Sequence, residues 1–139
     1  MTAVRFLAPD TDAYVASVQR HAAEFELRSG LELEINIVPS DEYFSNEIHG
    51  YLSGADGADV FMSGPVLVWE HAAAGFVQPL DDFLDQASDA YRPDDFVDAL
   101  LAANRWDGRA GNRLGSGPLL EIPVNCESPR FTIHIGPRQ

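Results

Sequence analysis

Three times between residues 4 and 74, a short apolar run is followed by a segment with helical spacing. No other feature limits the possible folds so strongly. Val4-Arg5-Phe6-Leu7-Ala8 reads as a short strand ended by Pro9. Asp10, Thr11 and Asp12 then offer capping oxygens. Tyr14, Val18, Ala22 and Phe25 recur at helical spacing until Gly30, which stands where a left-handed cap belongs. Residues 31–37 alternate strictly between Leu or Ile and Glu or Asn, as expected of a strand near a sheet edge with one wet face. Pro39-Ser40 opens a helix that carries Phe44, Ile48 and Leu52 and ends at Gly54. Residues 58–63 read as a third strand. Gly64-Pro65 then turns the chain into a helix over residues 66–74, stopped by Gly75. Strand–helix units in this order imply right-handed crossovers and a mainly parallel sheet with helices on both faces, a three-layer α/β/α fold.

The remainder is less regular. Asp81 is placed to cap a short helix through Gln86, and residues 93–104 read as one helix with Phe96, Leu100 and Leu101 on its apolar side. Trp106-Asp107-Gly108-Arg109 contains a turn dipeptide, and the glycines and proline up to Pro118 imply a long loop or irregular hairpin. Residues 119–124 approach a strand, and residues 131–135 alternate again and read as a last one.

The chemistry of the side chains excludes several classes. The formal net charge is −13 and every basic residue is Arg. Such a field repels phosphate backbones and anionic membranes, and suits neutral or cationic solutes or a partner with basic pockets. The single cysteine, Cys126, forms no internal disulfide and no thiolate cluster, and reads as a small, partly buried side chain. No apolar run reaches membrane-spanning length and no signal peptide is visible. Either the protein is cytoplasmic or its export signal is not part of this sequence. His21, His49, His71 and His134 lie in different elements, without a metal-binding pair, and His71 beside Glu70 reads as a solvated helix face. There is no nucleophile elbow and no phosphate loop. Asp81-Asp82 resembles a paired-carboxylate site, but acids are favoured at helix starts in any case. No catalytic residue, metal or cofactor is expected.

In open parallel sheets, ligands sit beyond the carboxyl ends of the strands. That rule selects Asp10, Thr11 and Asp12 after the first strand, and Met62, Ser63 and Gly64 after the third. Asp12 reads first as a helix cap, Asp59 as an anchor for backbone amides, and Trp69 as core. A flavodoxin-like signalling or regulatory domain stays open as an alternative, with Asp10, Asp12 and Asp59 forming an acidic Mg²⁺ pocket. Against it, Asp59 opens its strand rather than ending it, and the chain lacks the lysine that usually completes such a pocket.

The order of residues adds a resemblance. Ala23-Glu24-Phe25-Glu26 with Gly30, Val38-Pro39 followed by Asp41-Glu42-Tyr43, and Gly57-Ala58-Asp59-Val60-Phe61 occur in sequence. They are followed by residues 72–84, AAAGFVQPLDDFL, then by Trp106-Asp107-Gly108 and Ile122-Pro123-Val124-Asn125. Over residues 4–128 the chain thereby resembles the N-terminal lobe of family 1 extracellular solute-binding proteins, the capture subunits of ABC importers. The resemblance implies a periplasmic-binding-protein-like lobe over residues 1–128, with a C-terminal strand and tail at 129–139 and the second lobe absent. It implies capture of a small solute, a carbohydrate above all, without a chemical step, and ABC permease subunits as partners. It also implies an extracellular or periplasmic location with a membrane tether in the full-length precursor. It adds Tyr43, Asn125 and Glu127 to the expected solute contacts, beside Asp10, Asp12 and Ser63. Aromatic faces suit sugar rings, and carboxylates and amides suit sugar hydroxyls. The family's lobes are joined by hinge strands, and this chain stops about where the first crossing is expected. Its stretch 109–117 is longer than the family's, and its last four residues match nothing there. A lobe alone is expected to bind weakly and to self-associate through its C-terminal segment.

Overall fold

The computed structural model describes residues 3–45, 48–53, 57–63, 67–87, 91–109, 111–112 and 115–123. The chain divides into two compact units, residues 1–76 and 77–139.

The first unit is built on β1 (Ala3–Pro9), which pairs in parallel with β2 (Glu32–Val38) from Ala3 opposite Glu32 to Pro9 opposite Val38. On its other side β1 pairs in parallel with the short β3 (Val60–Phe61), Phe6 opposite Val60 and Leu7 opposite Phe61. The strand order is β2-β1-β3, so the alternating strand lies at an edge with residues 4–8 beside it, as its pattern implies. The connection from β1 to β2 runs one way across the sheet and that from β2 to β3 runs back. Right-handed crossovers place those two connections on opposite faces.

The long α1 (Asp12–Ser29) packs against β1 and β2. It ends because Gly30 takes φ 72°, a left-handed conformation that costs glycine nothing, and donates its N–H to Glu26 O at 2.9 Å. On the other connection lie α2 (Ser40–Tyr43) and α3 (Ile48–Ser53). Tyr43 and Ile48 join Leu7 and Val38 in a buried cluster, with Leu52, Ala58, Phe61 and Met62 packed around it. Burying Leu7, Val38 and Ile48 contributes about 1.5–3 kcal/mol each by removing them from water.

Several local expectations change. The alternation of β2 holds from Glu32 to Ile35, but Ile37 is 38% exposed and Val38 is buried. The buried cluster draws in Val38 from the opposite face at that end of the strand. The single helix expected after Pro39 is two helices. Ser45 donates its hydroxyl to Glu42 O at 2.7 Å beyond the end of α2, and α3 restarts at Ile48. The helical phase breaks there, so Tyr43 is buried while Phe44 is 59% exposed. The third strand is only two residues long. The next helix, α4 (Val68–Ala73), buries Val68 and His71 and leaves Trp69 46% exposed, contrary to the expectations for Trp69 and His71. Residues three apart share a helix face, and here Val68 and His71 define the inner one. Gly75, at φ 79°, closes α4: its N–H bonds Ala72 O at 3.1 Å, and Phe76 N–H bonds His71 O at 2.9 Å. Gly54, Gly64 and Pro65 lie outside the described residues.

The second unit relies on polar locks. Beyond α5 (Asp81–Asp85), the helix expected over 93–104 divides into a 3-10 turn, Pro93–Asp95, and α6 (Asp98–Ala103), because Phe96 and Val97 are extended. Asp81 is the first residue of α5 rather than its cap. Its carboxylate accepts Leu119 N–H at 2.7 Å and the Arg105 guanidinium at 2.9 Å. Arg105 and Leu119 form an antiparallel bridge that closes the expected irregular hairpin, and Leu119 and Leu120 are buried beneath it. Gly117 is required there: at φ 100°, a Cβ would lie 2.6 Å from Asp107 N. Cys126, Val124 and the strand expected at 131–135 lie outside the described residues.

Candidate functional site at the carboxyl edge of the sheet

Because β1 sends its connection one way and β3 lies on its other side, the strand order reverses between them. A crevice outside the carboxyl ends of two such strands is the usual ligand position in open α/β sheets. Asp10 and Ser63 follow those two ends.

Backbone hydrogen bonds build this edge. Met62 N–H donates to Leu7 O at 3.1 Å, extending the pairing of β3 with β1 by one residue. Asp10 N–H donates to Val38 O at 2.8 Å, and the Ser40 hydroxyl donates to Asp10 O at 3.0 Å. Thr11 Oγ1 lies 3.5 Å from Ser40 Oγ. The loop after β1 is therefore fixed to the start of α2, and the Asp10 side chain is left exposed. Asp12 is the first residue of α1, exposed; the cap position belongs to Thr11, so the capping role expected for Asp12 is not the one it plays.

Tyr43 is 1% exposed, and its hydroxyl reaches both Leu7 O, at 3.1 Å, and Met62 O. One phenol thus joins the carboxyl ends of β1 and β3 from below. Its ring packs in the core and meets Phe44 edge-on at 5.3 Å.

Ser63 is half-buried and carries a partner that sequence reasoning missed. Its Oγ lies 3.0 Å from Nδ1 of His71, which is 1% exposed. The His71 ring meets Phe61 edge-on at 5.1 Å and His49 at 6.3 Å. Burial lowers the His71 pKa; the nearby His49 acts in the same direction and Glu70 opposes it. The imidazole is accordingly neutral at pH 7. The signal that could have found it is the placement of His71 one helical turn after Val68, in phase with a buried residue.

The opposite edge is organised differently. Asp59 accepts Arg5 N–H at 2.9 Å, and its two carboxylate oxygens take the Arg5 Nε and Nη2 donors at 3.1 Å each. The Arg5 side chain, followed by its backbone N–H, holds the Asp59 carboxyl below the usual carboxylate range. Asp59 is thus the amide anchor its position implied. Asp10 lies five positions beyond Arg5 along the extended chain, about 16 Å, so Asp59 and Asp10 do not converge on one acidic pocket. Among the described residues, no three His, Cys, Asp or Glu side chains are grouped to hold a metal ion. Asn125 and Glu127 lie outside the described residues.

No family model matches the chain. The chain is 30% identical over 119 residues to the erythritol/L-threitol-binding protein of Mycolicibacterium smegmatis, a match covering 83% of this chain and 25% of that protein. Its structure resembles an ABC substrate-binding protein from Listeria monocytogenes, solved in complex with cycloalternan, at a TM-score of 0.65 and 17% identity. That match covers 77% of this chain and 27% of the other. The chain is thus similar in sequence to one solute-binding protein and in fold to another. It has the α/β fold of such a binding protein and spans about a quarter of the length of the curated relative it matches. Among the described residues, no helix is long and apolar enough to cross a membrane.

Proposed function

We propose that this chain is part of an ABC solute-binding protein and captures a small neutral polyhydroxylated solute, a polyol or a sugar, at the carboxyl edge of β1 and β3, for delivery to an importer permease. The observation that carries the reading is the reversal of strand order at β1, with the exposed Asp10 and the half-buried Ser63 following the two strand ends. A carboxylate accepts a solute hydroxyl, and a serine both donates and accepts, so the pair matches adjacent hydroxyls without requiring charge on the solute. The relative's binding of erythritol or L-threitol supports the same class of ligand. Asp12 adds a contact and Tyr43 supports the floor of the site, and Asn125 and Glu127 belong to the proposal as further solute contacts.

The binding needs no chemical step. Ser63 and His71 have the atoms of a nucleophile and a base, but burial lowers the His71 pKa further from neutral pH, which makes the imidazole a weaker proton acceptor. The family 1 assignment, the exported location with a membrane tether, the permease partner and self-association through residues 129–139 belong to the same proposal.

Backbone chemical shifts of the chain under titration with erythritol, L-threitol and a simple hexose test it. The expected result is movement of the Asp10 and Ser63 signals with a dissociation constant near millimolar, since a micromolar site holds about −8 kcal/mol and half of that is about −4. If Mg²⁺ moves those signals and no polyol or sugar does, solute capture is wrong and the regulatory alternative takes its place.

A further inference from the structure

His71 is out of place for a residue that only fills space. A buried imidazole costs free energy unless its nitrogens are bonded, and an apolar side chain of similar size would fill the same volume without that cost. Its Nδ1 lies 3.0 Å from Ser63 Oγ, and its ring is held edge-on by Phe61 at 5.1 Å with His49 beyond. Ser63 stands two residues after β3, next to the Met62 carbonyl that Tyr43 binds. Packing holds the ring, and its hydrogen bond to Ser63 selects one rotamer of a side chain that otherwise samples three.

We infer that His71 is the positioning residue of the solute site, fixing the Ser63 hydroxyl so that its remaining hydrogen-bonding capacity is presented ready-made to a solute hydroxyl. A hydroxyl held before binding loses less freedom on binding. A neutral imidazole serves this purpose in either tautomer. If Nδ1 accepts from Ser63, the serine oxygen keeps its lone pairs for a solute donor. If Nδ1–H donates, the serine proton is free to donate. The binding consequence rests on the solute-capture reading; the positioning itself rests on the geometry alone.

The test uses the whole chain and the variants His71→Asn, which retains a polar atom near the Nδ1 position, and His71→Leu, which does not. The Hα–Hβ couplings of Ser63, measured without solute, are expected to report one rotamer in the wild type and in H71N and an average in H71L. Titration with erythritol is expected to give similar affinity for the first two and about tenfold weaker binding for H71L. A Ser63 rotamer already averaged in the wild type, or fixed in all three chains, overturns the inference, as does equal erythritol affinity of wild type and H71L. If the couplings behave as expected while neither erythritol nor L-threitol moves any wild-type signal, positioning stands and solute capture falls. Should H71L fail to fold, Ser63→Ala probes the pair from its other side. The His71 ring nitrogen signals are then expected to shift, and their failure to move overturns the inference.

Discussion

The two edges of one small sheet treat carboxylates in opposite ways. At the amino edge, Asp59 is consumed by Arg5: its oxygens take a backbone N–H and two guanidinium donors, and the pair ties β3 to β1. At the carboxyl edge, it is the backbone of Asp10 that is fastened, through Val38 and Ser40, while its side chain is left exposed. An acid whose partners are supplied within the fold is structural. One whose backbone is anchored and whose side chain is outward is available to a ligand. Substitutions at the two edges should therefore separate stability from binding.

The largest effect is expected where the contrast breaks down, at Tyr43, which belongs to both the core and the site floor. Tyr43→Ala should cost about 3–5 kcal/mol in chemical denaturation and also abolish solute-dependent shifts. Tyr43→Phe keeps the ring and should cost about 1 kcal/mol. Next is Ser63→Ala, expected to weaken erythritol binding about tenfold and, by leaving the buried His71 Nδ1 without its partner, to cost about 1 kcal/mol in denaturation. A large loss of stability in that variant would erase the distinction between the edges. Asp59→Ala should do the reverse, lowering the midpoint slightly, as for an exposed pair, and leaving the affinity of Asp10 and Ser63 for polyol unchanged.

The smallest effect is the response to pH. His71 is held below its ordinary value of 6.5, so the unfolded chain takes up its proton first. Stability should fall as pH drops below about 6.5 and level off once the folded His71 titrates as well. H71L should lack that step. The Asp59 contribution is present above about 3.8 and is lost as pH falls through its lowered folded value. Acid titrations followed by circular dichroism, on wild type, H71L and D59A, resolve the two windows.

What sequence could reveal was set by distance along the chain. The cap at Gly30, the alternation of Glu32 to Ile35 and the three strand–helix units are local patterns, and they gave the strand neighbours and the edge carrying Asp10 and Ser63. The break at Ser45 depends on a hydroxyl turning back to Glu42, and the helical stripe through Phe44 and Ile48 concealed it. His71 was misread because its burial and its bond to Ser63, eight residues earlier, arise from how α4 folds back on β3. The short β3 was overestimated because an apolar run does not fix the length over which a strand pairs.

The position of β1 also has a consequence in time. It is the middle one of the described strands, and its pairing with β2 closes across one helix, while Arg5 must wait for Asp59, 54 residues later. Closing the longer loop costs more chain entropy and comes later in folding. Arg5–Asp59 and the Tyr43 link to Met62 then belong to the last step, in which β3 docks. Weakening either should speed unfolding and leave the folding rate nearly untouched, making the strand that carries Ser63 the first to leave.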